Sequence, residues 1–493
     1  MKNIVNYLFI FLLWAIGWGC SPLPKQAAPL ALHPSNGNYF IFNDKPTILV
    51  TSGEHYGSVM NSGFDHEKYL KTLADEGFNY TRIFIGPYSE IGGNNFGITS
   101  NTMNPDPNLW LTPWKQDSVS ALFDLTQWNQ PFFDRLHQFI GLAESKNIVV
   151  EVTLFTSFYT DHQWIRSPFY FKNNSNGIDS VHFRKFNTMD NGQLWEVQEK
   201  YVRKIVRELN PYGNIFFEIQ NEPWSDNPHL AKTIMTDTLT HPYAWQKLVE
   251  EANEASTLWQ RNIAELIVDE ESKLPNRHLI AQNISNYGMV IENPNPAVSI
   301  FNFHYAYPDA ASENVVLNKV IGLDETGFMP HNDFIYRSEA WKFILSGGAL
   351  YNNLDYSFTV GNEDGTYLID NVTPGWGGIS YRKQLATLRD FMNGFDFISM
   401  KPDKVSFALN GGTLAGHALL SEPDKQYALY LHGGKNCQIS LRMGKGNYSL
   451  VVVNPVTGEK KGPIELRSES DWVKLPIPSD FEDIAISLVY LKP

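Results

Sequence analysis

The sequence has 493 residues, more than one simple domain needs, which indicates a large domain with an accessory module. Its formal net charge is −14 and its Lys and Arg residues form no cluster. This argues against nucleic acid or an anionic membrane surface as a binding partner, because both require a basic surface.

The N-terminus has the pattern of an export signal. Lys2 precedes an apolar stretch over residues 7–18, and the small residue Gly19 and then Cys20 follow it. The arrangement resembles a bacterial lipoprotein signal, in which the cysteine is lipidated and becomes the first residue of the mature chain. We therefore expect an exported lipoprotein, periplasmic or at the cell surface, held to the membrane through a lipid on Cys20. An uncleaved anchor and a soluble secreted protein are the alternatives.

The domain boundaries follow from changes in composition. Residues 1–20 are the predicted signal, and the Pro- and Ala-rich residues 21–37 are a predicted tether. Beyond them, apolar runs alternate with helical segments at 69–76, 132–145 and 381–393, which is typical of a parallel sheet with crossover helices. Eight strands are predicted, at 47–51, 79–85, 148–154, 215–219, 278–282, 299–303, 320–323 and 348–352.

Eight such strands predict an α/β fold, a (β/α)8 TIM barrel over residues 38–400. From residue 401 to 493 the pattern changes to short alternating strands separated by Gly and Asn turns, which predicts a C-terminal β-sandwich. Cys437 is the only cysteine besides Cys20, so we expect no disulfide. Spacings of the CxxC or HExxH kind are absent, and the sequence indicates neither a metal nor a cofactor.

Two glutamates stand where the predicted barrel would place an active site. Glu222 follows the fourth apolar run and Glu325 follows the seventh, and a Pro or a Gly soon ends each strand. All strand C-termini of a (β/α)8 barrel open onto one face, so the two carboxylates are expected to converge there. Paired carboxylates are what hydrolysis of a glycosidic bond requires.

Two long connections, 86–130 and 155–193, follow predicted strands two and three on that same face. They are rich in aromatic side chains, which either wall in a sugar-binding cleft or pack their own loops down: Trp110, Trp114, Trp164, Phe169, Tyr170 and Phe171.

The chain resembles clan A glycoside hydrolases, the cellulase-like retaining enzymes related to family 5, over its predicted barrel. The resemblance rests on an Asn-Glu-Pro motif at the end of the fourth strand and on three further residues in matching order: Asn221, Glu222, Pro223, Glu325, Arg82 and His304. It implies that Glu222 is the acid/base and Glu325 the nucleophile. It also implies that Asn221 binds the sugar 2-hydroxyl and that Arg82 keeps the nucleophile ionised.

Physical chemistry adds an expectation for each glutamate. Glu222 has to carry a proton for the leaving oxygen, so its pKa should be raised by burial and by a negative neighbour. Glu325 has to stay ionised beside cationic and hydrogen-bonding groups. When Glu325 becomes a neutral ester, the repulsion on Glu222 falls, and Glu222 can then act as a base towards water.

Further substrate contacts are expected around these residues. The family pattern His-x-Tyr after strand six is displaced here, and Tyr305 is favoured over Tyr307 beside His304. Glu54 and His55, after strand one, and Trp224 are additional candidates.

The sequence thus predicts a retaining β-glycosidase that cuts a poly- or oligosaccharide without a cofactor. A non-catalytic glycan-binding lipoprotein and a transglycosylase remain as alternatives.

Overall fold

A computed structural model describes residues 28–92, 95–233 and 244–491. The predicted signal and the predicted lipidation site Cys20 lie outside these residues. Across the described segments, no helix combines the length and the apolar character needed to cross a membrane.

Eight parallel strands form a nearly closed barrel in the order β1-β8-β7-β6-β5-β4-β3-β2, with β1 and β2 side by side at the seam. Almost every residue of these strands is buried, as in sheets covered on both faces. The strands are β1 Leu49–Gly53, β2 Tyr80–Phe84, β3 Val149–Thr156, β4 Ile215–Asn221, β5 Ile280–Asn286, β6 Ile300–His304, β7 Val320–Thr326 and β8 Leu350–Leu354.

Seven main helices cover the described part of the barrel, one after every strand except β5: α1 His66–Asp75, α2 Gln130–Ser145, α3 Leu194–Leu209, α4 Glu254–Glu271, α5 Asp309–Asn314, α6 Asp333–Leu345 and α7 Ile379–Met392. The β5–β6 connection, residues 287–299, contains no helix. Two single-turn helices, Asp161–Trp164 and Phe183–Phe186, lie in the long β3–α3 connection.

The chain before the barrel is also folded. Strands Ala31–His33, Asn36–Phe42 and Lys45–Thr47 form a small antiparallel sheet. Leu30 is buried, and its N–H donates to the carbonyl of Gly213 at 2.8 Å. The described part of the predicted tether therefore packs on the barrel, and the fold begins before residue 38.

Eight antiparallel strands follow the barrel: β9 Lys401–Pro402, β10 Phe407–Thr413, β11 Gly416–Glu422, β12 Gln426–Arg442, β13 Gly446–Val453, β14 Lys460–Ser468, β15 Trp472–Lys474 and β16 Phe481–Tyr490. The long strand β12 pairs with β10, β11, β15 and β16. Its side chains alternate: Tyr427 and Leu429 point into the domain's own core, and Ala428 and Tyr430 belong to the core shared with the barrel. The predicted fold class, a (β/α)8 barrel with a C-terminal β-sandwich, is confirmed.

The C-terminal domain is fixed against helix α6. Trp341 stacks on Tyr430 with ring centroids 5.3 Å apart, and the Arg337 Nε donates to Asp483 Oδ2 at 2.8 Å. The hydroxyl of Tyr430 donates to the same carboxylate at 2.9 Å. Aromatic packing and a buried ion pair therefore join the two domains.

Candidate active site

A cavity of about 290 Å³ opens at the C-terminal ends of the barrel strands. Its walls come from the ends of β1, β2, β3, β4, β6 and β7 and from the segment before α4: His55, Tyr56, Phe84, Tyr88, Glu90, Phe96, Tyr159, Asn221, Glu222, Ser225, Trp245, Tyr305, Glu325 and Phe328.

Glu222 and Glu325 meet in this cavity, as the sequence predicted. They are 8% and 6% exposed, and a carboxylate oxygen of one lies within 4.8 Å of a carboxylate oxygen of the other. Glu222 adopts a left-handed backbone conformation with φ 46°, which is uncommon for a residue with a side chain. Its backbone is held there by Asn283 Oδ1, which accepts from its N–H at 3.0 Å, and by Ser157, whose hydroxyl donates to its carbonyl at 2.6 Å.

Glu325 faces hydrogen-bond donors. Tyr56 donates to its Oε2 at 2.9 Å and Tyr305 to its Oε1 at 2.8 Å, while Arg82 Nη1 approaches Oε2 at 3.4 Å. Burial and the charge of Glu325 raise the pKa of both tyrosines well above their usual value, so they stay protonated and act as donors. This environment stabilises a negative charge on Glu325.

Glu222 has a different set of partners. His304 Nδ1 lies 2.8 Å from its Oε1, and its Oε2 accepts from Tyr159 at 2.8 Å and from Ser225 at 3.3 Å. Burial alone would raise the pKa of Glu222, but the hydrogen bond and charge of His304, with the help of Tyr159, lower it below its usual value. The expectation of a raised pKa for Glu222 is therefore wrong.

His304 carries the positive charge that produces this result. It is fully buried, with Nδ1 3.7 Å from Glu325 Oε1 and Nε2 3.3 Å from Asp324 Oδ1. Burial opposes its protonation, but the charges of Glu325 and Asp324 and the contact with Glu222 raise the pKa of His304 well above its usual value. The raised pKa favours a proton on His304, whose Nδ1 is 2.8 Å from Glu222 Oε1.

Arg82 lies beneath the two carboxylates and is 1% exposed. Its main partner is Glu218, reached by Nε at 2.9 Å and by Nη2 at 2.6 Å, and Nη2 also donates to Asn221 Oδ1 at 2.8 Å. Asp324 Oδ2 lies 3.4 Å from the same nitrogen. Burial would lower the pKa of Arg82, but Glu218 and Asp324 raise it well above its usual value, so it is a permanent cation that supports Glu325 from one side.

Asn221 bridges the two halves of the site. Its Oδ1 accepts from Arg82, and its Nδ2 donates to the hydroxyl of Tyr159 at 3.0 Å. It lines the cavity, where its amide is within reach of a ligand.

Among the described residues, two groups of side chains each bring three metal-ligand atoms within 4.8 Å of one another: Glu222 with His304 and Glu325, and Glu151 with Glu218 and Asp324. In the second group the guanidinium of Arg82 already supplies the positive charge. In the first group, tyrosine hydroxyls donate to the oxygens that a hard cation would need. Both arrangements fit proton and charge chemistry better than metal binding.

Of the remaining predicted residues, some line the cavity and others are buried in the surrounding structure. Tyr305 contacts Glu325, whereas the hydroxyl of Tyr307 donates to Glu313 outside the cavity lining. Glu54 is buried and accepts from the backbone N–H groups of its own turn at 2.9 and 3.1 Å, which is a structural role. Trp224 is 5% exposed and packs edge-on against His304 behind the cavity, with ring centroids 5.3 Å apart.

None of the six loop aromatics lines the cavity. Trp114 is fully buried against Phe169 and Tyr201, so these two loop aromatics pack their connections onto the barrel. The same two connections supply different aromatic residues to the cavity: Tyr88, Phe96 and Tyr159.

Sequence reasoning also missed Tyr56, Glu90, Trp245 and Phe328. Only Tyr56 had a sequence signal, because it follows His55 directly in the turn after β1. Glu90 and Phe328 lie in irregular segments, and Trp245 lies in a single 3-10 turn, Ala244–Lys247, so no periodicity indicates any of the three.

Comparisons with known proteins bear on the fold. No protein-family profile matches the sequence, and no curated protein matches it. Solved structures do match: one from Bacteroides vulgatus, provisionally called a glycoside hydrolase, is 13% identical with a TM-score of 0.62 over 95% of this chain and 83% of that one. A glycoside hydrolase family 5 structure from the same organism is 11% identical with a TM-score of 0.60, covering 94% of this chain and 93% of that one. The chain therefore shares the fold of these two proteins, barrel and C-terminal domain together.

Proposed function

We propose that the protein is a retaining β-glycosidase that acts on a poly- or oligosaccharide, with Glu325 as nucleophile and Glu222 as acid/base. The observation that carries the proposal is the pair of carboxylates within one cavity, the first facing donors and the second facing a charged histidine. The shared fold with glycoside hydrolases of known structure supports it.

The first half-reaction transfers the sugar to the protein. Glu325 attacks the anomeric carbon as the glycosidic bond breaks, and Glu222 gives a proton to the departing oxygen. That proton comes from the Glu222–His304 pair, in which the substrate's displacement of water favours the neutral form of both groups. Tyr56 and Tyr305 hold Glu325 in position while its carboxylate loses its negative charge and becomes an ester.

The second half-reaction returns the protein to its starting state. Glu222 takes a proton from water, the water oxygen attacks the anomeric carbon, and Glu325 leaves as a carboxylate. Each half-reaction inverts the configuration of the anomeric carbon, so the product has the same configuration as the substrate. Retaining enzymes have carboxyl groups about 5 to 5.5 Å apart, whereas inverting enzymes need about 6.5 to 9.5 Å to fit a water. Oxygens within 4.8 Å of each other support retention.

The test is sugar release by the purified protein and by its Glu325→Gln variant, on a panel of polysaccharides and aryl glycosides. Gln keeps the size of the side chain, and its amide oxygen can accept from one of the two tyrosines, Tyr56 or Tyr305, but it cannot form the ester. Release by the wild type alone, with equal thermal stability of both proteins, is the expected result. Equal release by both would refute the assignment of Glu325, and binding without release by either would favour a non-catalytic glycan-binding protein.

We also propose, on the sequence pattern alone, that the chain is exported and anchored through a lipid on Cys20. Metabolic labelling with a radioactive fatty acid should mark the wild type and leave a Cys20→Ala variant unlabelled. Labelling of both proteins would place the lipid elsewhere.

A further inference from the structure

The cavity has two unlike ends. One is polar and comes from the segments after β1 and β2: His55, Tyr88 and Glu90. The other is aromatic and includes Trp245, packed on Tyr305 after β6 with ring centroids 4.9 Å apart. Strands β2 and β6 are four positions apart in the eight-strand order, so these ends are on opposite sides of the barrel mouth.

Burial shows which end is closed. Glu90 is 3% exposed and His55 is 7% exposed, so the polar end is enclosed by protein. Trp245 is 40% exposed and Phe96 is 41% exposed, so these two rings mark the opening to solvent. A sugar chain that extends beyond the cavity has to leave through the opening.

The polar end is a built hydrogen-bonding site. Glu90 Oε1 accepts from His55 Nε2 at 3.1 Å and from the hydroxyl of Tyr88 at 3.3 Å, and its Oε2 accepts from Asn101 Nδ2 at 3.0 Å. The ring of His55 stacks on Tyr56 at 5.5 Å between centroids, which fixes its orientation. His55 Nδ1 is buried and has no hydrogen-bond partner among the described residues, so the site retains unused polar capacity.

The size of the cavity limits what enters. Its volume of about 290 Å³ is at the lower end of cavities that hold a drug-sized ligand, about 300 to 1,000 Å³. This favours one sugar ring at the closed end over a run of several rings. A carboxylate and an imidazole side by side suit the adjacent hydroxyl groups of such a ring, because one accepts and the other donates or accepts.

We propose that the His55–Glu90 pair binds the hydroxyl groups of the non-reducing terminal sugar, so that the protein removes sugars one at a time from chain ends, and that Trp245 stacks against the sugar on the leaving side. The proposal rests on the proposed glycosidase function and specifies its mode of action. Glu90 is a specificity-determining residue in this arrangement, since it touches substrate hydroxyls away from the bond that breaks.

The mode of action is tested with a linear oligosaccharide of the sugar identified by the panel, labelled at its reducing end with a fluorescent amine. The wild type should release unlabelled monosaccharide while the labelled product shortens by one sugar at a time. Labelled products of random length at early times would refute the proposal, and so would release of the labelled terminal sugar. A wild type that is inert on every substrate would instead refute the glycosidase itself.

The role of Glu90 is tested by measuring kcat/KM of the wild type and of the Glu90→Gln variant. The substrates are an aryl glycoside of the same sugar and analogues that each lack one hydroxyl. We expect kcat/KM on the full sugar to fall by about 10- to 100-fold, the effect of one hydrogen bond to a charged group. The wild type should also discriminate against one deoxy analogue, and the variant should lose that discrimination. A merely structural role would leave the discrimination intact, and this outcome would overturn the assignment.

Asp106→Asn is the matched control. Asp106 is an exposed carboxylate in the same β2–α2 connection and caps no helix with its side chain. Its substitution should change neither kcat/KM nor product pattern. Trp245→Ala should raise KM for the oligosaccharide more than for the aryl glycoside, and equal effects on both would place the leaving side elsewhere.

Discussion

Replacement of Glu222 by Gln separates its two proposed roles. The amide keeps the length of the side chain, its oxygen can accept from His304, and its nitrogen can donate to the hydroxyl of Tyr159, so the contacts at 2.8 Å are preserved. What is lost is the proton. General acid catalysis contributes a factor of about 10² to 10⁴, which corresponds to roughly 2.7 to 5.4 kcal/mol in the activation free energy.

The decrease in kcat/KM that follows from the loss of this proton depends on the leaving group. A substrate with a poor leaving group, such as the natural glycan, should show the full decrease in kcat/KM. A dinitrophenyl glycoside needs no proton on departure, so its first half-reaction should proceed at nearly the wild-type rate. The second half-reaction lacks its base, so the glycosyl ester on Glu325 should accumulate.

The assay is a pre-steady-state measurement of dinitrophenolate release. We expect a burst equal to the concentration of the Glu222→Gln protein, followed by slow turnover. In a Glu222→Ala variant, azide should fill the vacated space, speed this turnover and yield a glycosyl azide of retained configuration. An equal decrease on both substrates without a burst would refute the acid/base assignment.

Three other predictions follow from the contacts. In a His304→Asn variant, the Glu222–His304 pair loses the group with the raised pKa, which keeps a proton in the wild type up to higher pH. The alkaline limb of the pH profile of kcat/KM should therefore move to lower pH. An unchanged limb would exclude His304 from the proton transfer. Tyr305→Phe should lower kcat/KM by about 10- to 100-fold, the effect of one hydrogen bond to a charged group. Tyr307→Phe is the matched control and should have a kcat/KM near that of the wild type. A larger decrease for Tyr307→Phe than for Tyr305→Phe would mean that Tyr307 is the functional tyrosine. Asp483→Ala should lower the free energy of unfolding by about 3 to 5 kcal/mol, because it removes the buried carboxylate that pairs with the buried Arg337 and leaves, among the described residues, only Gln384 and the exposed Glu482 as its polar partners. Calorimetry should show Arg337→Met recovering part of the loss in the double variant.

The barrel could be predicted from its apolar runs, and all eight predicted strands overlap observed ones. The errors are at the strand ends. Strand β4 continues to Asn221 and β7 to Thr326, beyond the predicted ends at 219 and 323. The reason is that polar side chains inside the barrel pair with one another, and a pattern of hydrophobicity cannot indicate such pairing. Strand Ala31–His33 was missed because three residues show no periodicity.

The center of the site was predictable for a similar reason. Glu222, Glu325 and His304 lie at strand ends and Arg82 lies within β2, where the chain path follows from the barrel itself. Tyr88, Glu90 and Tyr159 lie in long connections whose path depends on tertiary packing, so sequence could not place them. Trp114 shows the opposite error, because a large aromatic ring in a loop serves burial as readily as binding.

The charges buried below the cavity explain why the pKa of Glu222 could not be read from its burial. Asp324 lies between the two cations, 3.4 Å from Arg82 and 3.3 Å from His304. Burial would raise the pKa of Asp324, but these two cations lower it, and the charges of Glu325 and Asp324 in turn raise the pKa of His304. Buried charges of this kind cost stability compared with apolar packing. Here they favour a proton on His304, 2.8 Å from Glu222, while Glu325 faces the hydroxyl donors of Tyr56 and Tyr305, so the two carboxylates have different electrostatic surroundings.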